Sequence, residues 1–278
     1  MSERRSLSSS LGRWGLGLLL VLLALFALQV TVLAFPQILF ARHLQSGSVV
    51  VYFDGQARDE IARIVEDVER RLLGSGYYDP SRTSRVFLFD NQLKYALFAR
   101  LSLVTTEAQG FALSVFDNTF ISRPNIAAMA HRTGGRPRYS IWEGDPAHVI
   151  AHEVGHHYMI DRIGRSAWSD LPQWKQEGFP EYVANIALLR SDSTATLPRR
   201  IDILADGQYW DWQQRWDRRH YEAELMVEFL LDVQGHTLDD RCVAAAPDRR
   251  GVGRVGRRSH RVARRLRSVV RPTARGRK

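Results

Sequence analysis

A run of 22 residues without a charged side chain, from Trp14 to Phe35, constrains the fold of this chain more than any other feature. Leu, Val, Ala and Phe dominate the run. As a helix it would extend about 33 Å at 1.5 Å per residue, which is enough to cross the hydrocarbon core of a bilayer. Arg4, Arg5 and Arg13 precede the run. Such residues usually stay in the cytoplasm, so the rest of the chain is expected on the outer side.

A cleaved signal peptide and a buried core helix are the two alternatives for this run. The apolar region of a signal peptide is usually about 7–15 residues long and precedes a small-x-small cleavage site. This run is longer, and Leu-Ala-Phe-Pro at 33–36 is a poor cleavage site. Its terminal position and apolar composition argue against a core helix. We therefore predict a cytoplasmic N-terminus at residues 1–13 and a transmembrane anchor at residues 14–35.

The net charge of +9 is unevenly distributed along the 278 residues. Residues 241–278 hold 13 Arg and one Lys against one acidic residue, Asp248, whereas the remaining 240 residues carry 25 basic and 29 acidic side chains. Because that larger part is mildly acidic, we expect no nucleic-acid partner for it. The single cysteine, Cys242, excludes an intramolecular disulfide and a multi-cysteine zinc cluster. A metal site here would therefore depend on His, Glu or Asp.

The basic tail at residues 241–278 differs from everything before it, with abundant Arg, Val, Ala and Gly and no amphipathic period. Three interpretations compete: a segment that binds nucleic acid or anionic lipid, a disordered extension, and a frame-shifted product of a GC-rich gene. An extracytoplasmic location disfavours nucleic acid. We favour a disordered or frame-shifted tail, so that the folded domain would cover residues 41–240.

Hydrophobic periodicity and turn residues predict a mixed order of strands and helices after the apolar run. The first part alternates strands with helices, and the second part is helical. Asp145 and Pro146 form a typical start for a helix that Gly164 would end. The predicted strands are Ser48–Phe53, Val86–Phe89 and two within Phe111–Ser122. The predicted helices are Asp59–Leu73 (ended by Gly74), Gln92–Leu101, Pro146–Ile163, Trp174–Leu189 and Tyr221–Val233. Residues 191–213 are predicted to be irregular.

The helix that starts at Pro146 contains the sequence HEVGH, with His152 and His156 four residues apart. Residues at this spacing lie above one another on one helix face, so both imidazoles can reach one metal ion at about 2.0–2.1 Å. Glu153, at the edge of that face, can hold a metal-bound water and accept its proton. His148 and His157 are interpreted as neighbours of the site or surface residues, because a catalytic zinc site typically uses three protein ligands.

The two segments HEVGH and LPQWKQEGFPEYVA together resemble the gluzincin metallopeptidases, in particular the peptidase MA-like group. The resemblance covers about residues 145–236 and implies an α+β zincin-like fold, in which a small mixed sheet precedes a mostly helical part. It implies His152, His156 and Glu177 as zinc ligands and Glu153 as general base.

Three further residues are site candidates. Glu181, one turn after Glu177, is interpreted either as support for a histidine ring or as a solvated helix charge. His220 and Tyr221 are candidates for stabilising an oxyanion.

These features predict a membrane-anchored zinc metallopeptidase that hydrolyses peptide or protein substrates, with zinc as its cofactor. Phe111–Phe116 or Thr119–Ser122 would be the edge strand that pairs with an extended substrate. The alternative is a catalytically inactive zincin-like module that serves as a binding or scaffold protein at the cell envelope. The sequence does not indicate an oligomeric state.

Overall fold

A mixed five-stranded sheet lies at the centre of the protein. The structure, a computed structural model, describes residues 4–55, 57–132, 145–206 and 215–237. The strands are β1 (Arg42–Ser46), β2 (Val49–Phe53), β3 (Ser84–Phe89), β4 (Gly110–Leu113) and β5 (Asn118–Ser122). Their order in the sheet is β1-β2-β3-β5-β4, with parallel pairing in the middle and antiparallel pairing at both edges. Strand β1 was not predicted.

Helices before, between and after the strands make most of the remaining structure. They are α1 (Arg4–Ala34), α2 (Arg58–Ser75), α3 (Gln92–Leu101), α4 (Arg123–Arg132), α5 (Pro146–Ile163), α6 (Arg165–Asp170), α7 (Gln173–Ser191), α8 (Leu197–Asp206) and α9 (Arg215–Glu228). A 3-10 turn at Pro36–Leu39 follows α1, and a π turn at Phe229–Val233 extends α9. The chain is thus an α+β protein, mostly helical, with one N-terminal apolar helix.

The prediction of an irregular segment at residues 191–213 is wrong for its central part. Helix α8 forms there because Ile201 and Leu204 are buried against Tyr221 and Leu225 of α9. The Ser, Thr and Pro residues that suggested a loop lie mainly before α8 or in its first turn. Residues 207–213, and the predicted tail at residues 241–278, lie outside the described residues.

Side-chain alternation in the sheet divides the interior into two cores, as expected for a pleated strand. On β3, Val86 and Leu88 point to the side covered by α2, α5 and α7. Phe87 and Phe89 point to the opposite side, which α3 covers. One face of the sheet therefore carries the helical layer, and the other carries an aromatic layer.

The end of helix α1 is part of the aromatic layer. Leu33 is buried against this layer, and the fully buried side chain of Asn118 donates a hydrogen bond to the Leu33 carbonyl at 2.7 Å. Residues Trp14–Ala34 form the one helix in the described residues that is long and apolar enough to cross a membrane. The last turn of this helix is therefore packed into the folded domain.

Arg71 of α2 joins three helices in the helical layer. Its guanidinium is almost completely buried and donates to the carboxylates of Asp67 and Asp145 and to the carbonyl of Ala184. Asp145 precedes α5, and Ala184 belongs to α7. Because a buried guanidinium must have its donors satisfied, this residue sets the relative position of α2, α5 and α7.

Helices α7 and α9 cross at Gly178, where the two backbones approach closely. A Cβ atom on Gly178 would lie 2.6 Å from the carbonyl carbon of Ala223, so the helices could not keep this distance. Gly178→Ala is expected to lower the free energy of unfolding by about 1–3 kcal/mol through overpacking. Urea unfolding of the full chain in detergent, followed by tryptophan fluorescence, measures this change.

Gly55→Ala is the matched control for this prediction. A Cβ atom on Gly55 would meet only the Asp90 carboxylate, at an ordinary contact distance of 3.8 Å. The control should unfold like the parent protein. Equal stability of Gly178→Ala and Gly55→Ala would show that the helix crossing is looser than described.

Candidate metal centre

Helix α5, which carries the HEVGH sequence, begins and ends as the sequence predicts. The Asp145 side chain accepts a hydrogen bond from the Ala147 amide at 2.9 Å, and Pro146 occupies the first helical position. The helix ends at Ile163, and Gly164 adopts a positive φ of 83°. The Arg71 guanidinium on the other oxygen of Asp145 fixes this start of the helix against α2.

Three side chains bring their ligand atoms together on the inner face of α5. The Nε2 atoms of His152 and His156 are 3.2 Å apart. An oxygen of Glu177 lies 3.5 Å from Nε2 of His152 and 3.8 Å from Nε2 of His156. Ligand atoms at 2.0–2.1 Å around a tetrahedral ion would be about 3.3 Å apart, so these spacings fit one ion.

The close crossing of α5 and α7 brings Glu177 to the histidines. A Cβ atom on Gly155 would lie 2.9 Å from Cα of Pro180, so only glycine permits this approach. Pro180 lies inside α7, where it also removes one backbone hydrogen bond of the helix. Glu177 is one turn before this contact point and therefore faces His152 and His156.

Glu181 is a buried carboxylate that contacts three histidine side chains. Only 1% of the residue is exposed, so the interpretation of Glu181 as a solvated charge is wrong. Its oxygens lie 3.1 Å from Nε2 of His148, 3.1 Å from Nδ1 of His152 and 2.7 Å from Nδ1 of His220. Burial alone would raise the pKa of Glu181, but the adjacent His152 and His148 hold it well below its usual value.

The contact with Glu181 determines which nitrogen of His152 is available to a metal ion. Nδ1 of His152 faces the Glu181 carboxylate, so Nε2 points towards Glu177. A carboxylate behind a ligating imidazole orients the ring and makes it a better ligand. Glu181 therefore has the position expected of a supporting group for His152.

Glu153 lies next to the cluster and beside strand β4. Its Cγ atom would be 3.1 Å from a Cβ atom on Gly110, so the side chain passes close to the β4 backbone. Burial, with help from Glu177 and Glu181, raises the pKa of Glu153 to about 7, although His152 acts in the opposite direction. A carboxyl group with a pKa near neutrality is suited to exchange protons at physiological pH.

Of the two candidates in α9, the structure brings His220 to the cluster and directs Tyr221 elsewhere. The His220 ring stacks on His152 with centroids 5.6 Å apart, and its Nε2 lies 4.0 Å from Glu177. The Tyr221 ring packs in the buried cluster between α8 and α9, and its hydroxyl donates to the Arg200 carbonyl at 3.4 Å.

Asn185 and Glu224 extend the hydrogen-bond network behind His148, and the local sequence gave no indication of this. His148 is buried and its Nδ1 lies 3.1 Å from the Asn185 side-chain oxygen, while Asn185 donates to Glu224 at 3.0 Å. Both Asn185 and Glu224 are almost completely buried.

His157 points away from the cluster and lies 3.1 Å from the Thr119 hydroxyl of β5.

The chain matches no protein-family model, and no curated protein gives a significant match. Within the described residues, His152, Glu177 and His220 on one side and His148, His152 and Glu181 on the other form groups that could hold a metal ion. The geometry therefore defines a His–His–Glu group, at least partly buried, that could hold a metal ion.

Proposed function

We propose that this protein is a membrane-anchored, zinc-dependent peptidase with Glu153 as its general base. The observation that carries the proposal is the convergence of two imidazoles and one carboxylate, with ligand atoms 3.2–3.8 Å apart, beside a partly buried glutamate. Two histidines and one glutamate are the ligands of a known type of catalytic zinc site, which leaves a fourth position for water or substrate. His152, His156 and Glu177 would hold the ion.

The protein's own groups would perform the proton transfers. His152, His156 and Glu177 would hold the zinc ion, which would supply the Lewis acidity that activates a carbonyl and a water molecule. Glu153 takes the proton of the attacking water and then passes it to the leaving amine.

Strand β4 is suited to align an extended substrate next to Glu153. It is the outermost of the five described strands at its end of the sheet, and it lies along α5. A peptide could therefore add to β4 through backbone hydrogen bonds. The alternative prediction for this role, Thr119–Ser122, is wrong because β5 is an interior strand between β3 and β4.

The contacts of Leu33 favour retention of the apolar helix after export. The Leu33 side chain and carbonyl both contact the folded domain, the latter through Asn118. Cleavage after this helix would remove these contacts and expose the buried amide of Asn118. A helix retained in the membrane, with Arg4 and Arg5 in the cytoplasm, would hold the domain on the outer side.

Metal analysis and peptide cleavage by the full chain in detergent test the proposed function. We expect about one zinc per chain and cleavage of peptides from a mixed library, which a chelator stops and added zinc restores. A folded, zinc-loaded protein that cleaves no peptide would instead favour an inactive zincin-like binding module. A folded protein that binds no zinc would contradict the proposed peptidase.

The two neighbouring candidates in α9 should respond differently to substitution. His220→Ala is expected to lower kcat by about 10²–10³-fold if this imidazole stabilises the developing oxyanion. Tyr221→Phe removes only the hydroxyl that bonds the Arg200 carbonyl and should leave kcat unchanged. Steady-state kinetics on one cleaved peptide measures both. A larger loss for Tyr221→Phe than for His220→Ala would reverse the assignment.

A further inference from the structure

Helix α3 and the turn after it expose three leucines on the side of the sheet that faces away from the metal centre. Leu93 and Leu97, four residues apart on α3, are 82% and 52% exposed, and Leu103 is 94% exposed. Leu103 also has a positive φ of 58°, which is uncommon for a leucine. Large apolar residues exposed on one side of a fold are candidates for an interaction surface.

The C-terminal end of α3 lies beside the apolar helix α1. The Gln29 side-chain amide donates a hydrogen bond to the Leu101 carbonyl at 2.7 Å. Gln29 is five residues before Ala34, the last residue of the apolar span. At 1.5 Å per residue this is about 7.5 Å back along the helix axis. The contact therefore places the end of α3 level with a residue inside the span.

The N-terminal end of α3 is joined to the segment that follows α1. The Lys94 ammonium group donates to the Leu39 carbonyl at 2.6 Å. Phe35 and Ile38 in this segment are 54% and 71% exposed. The helix that carries Leu93 and Leu97 is thus held beside the segment that exposes Phe35 and Ile38. Arg100 is also exposed on α3. The long side chain of an arginine can reach lipid headgroups while its stem stays in an apolar layer.

We infer that α3 and the turn at Leu103 lie in the interfacial layer of the same bilayer that α1 crosses, with Leu93, Leu97 and Leu103 in contact with lipid. This inference rests on the proposed membrane anchor. The partner is a lipid surface because the exposed leucines lie on and just after a helix whose end is hydrogen-bonded to Gln29 of the apolar span and so reaches the height of that span. The bilayer would then contact the domain at two places, at α1 and at α3.

A lipid contact at α3 would set the orientation of the metal centre relative to the membrane. The aromatic face of β3, with Phe87 and Phe89, lies towards α3, whereas the opposite face, with Val86 and Leu88, lies towards α5. The sheet therefore stands between the lipid surface and the histidines of α5. Substrates would reach the site from the aqueous side.

Fluorescence quenching by brominated lipids tests the inference on the full chain. Cys242 is the single cysteine, so Cys242→Ser provides a background for one labelled cysteine at a time. Leu97→Cys and Leu103→Cys place an environment-sensitive fluorophore on the proposed surface. Leu22→Cys lies within the apolar span, and Leu73→Cys, at a leucine 61% exposed on α2, lies on the helical side of the sheet. The proteins are reconstituted into vesicles of phosphatidylcholine and phosphatidylglycerol, with and without bromine on the acyl chains.

We expect the probes at positions 97 and 103, like the probe at position 22, to lose fluorescence in the brominated vesicles, and position 73 to lose none. Quenching at position 22 without quenching at positions 97 and 103 would overturn the inference. The anchor would then cross the bilayer, but α3 would not contact the lipid. No quenching at position 22 would overturn the anchor itself and the inference with it. Equal quenching at 73 and 103 would also overturn the inference, because the lipid contact would then not be confined to α3.

Discussion

Glu153→Gln is expected to abolish peptide hydrolysis while zinc stays bound. The amide has nearly the shape of the carboxylate but cannot accept the proton of the attacking water. Loss of a general base typically lowers the rate by about 10²–10⁴-fold. The proposed ligands His152, His156 and Glu177 are unchanged, so zinc content should remain near that of the parent. Turnover of one peptide and metal analysis on the same preparation measure both quantities.

Glu66→Gln is the matched control for this substitution. Glu66 lies on α2 with an exposed side chain, so the same chemical change there should affect neither turnover nor zinc content. Full activity of Glu153→Gln would exclude Glu153 as the base. Loss of zinc together with activity would instead assign Glu153 a part in metal binding.

Glu177→Ala should weaken zinc binding more than any other single change outside the two histidines. Among the described residues, the substitution removes the one carboxylate that lies within 3.8 Å of Nε2 on both His152 and His156. Removing a supporting residue typically lowers metal affinity about 10–100-fold, and loss of a direct ligand should exceed this. Zinc affinity, measured by competition with a chromophoric chelator, gives the size of the effect.

Glu181→Ala distinguishes a site in which Glu177 is the carboxylate ligand from one in which Glu181 is the carboxylate ligand. If the ion lies between His152, His156 and Glu177, loss of Glu181 leaves all three ligands and lowers the affinity by about 10–100-fold. If the ion instead lies among His148, His152 and Glu181, Glu181→Ala would be the more damaging of the two changes. The order of the two measured affinities therefore decides which group binds the metal.

Several elements of the fold could be predicted because their signals are local. The bounds of α3 and α5 agree with the prediction, since a cap residue or a change of hydrophobic period marks each end. Strand β1 and helix α8 were missed for the same physical reason. Most side chains of β1 are polar and at least partly exposed, and this strand forms through antiparallel pairing with β2. Helix α8 depends on burial against α9.

Part of the site was also accessible from sequence, and part was not. The period of a helix sets the angle between residues four apart, so His152 and His156 had to share a face. No comparable rule sets the distance between His156 and Glu177, because 20 residues lie between them in the sequence. Their approach follows from the crossing of α5 and α7 at Gly155, where a larger side chain would contact Pro180.

The sequence by itself therefore determined the apolar helix, the spacing of the two histidines and the start and end of α5. Only the tertiary structure decided that Glu181 contacts three of the described histidines, that His220 joins the cluster while Tyr221 faces α8, and that β4 is an outer strand. The physical reason is the range of the interactions. Helix period and capping act within a few residues, whereas packing of buried side chains sets the distances between elements far apart in the chain.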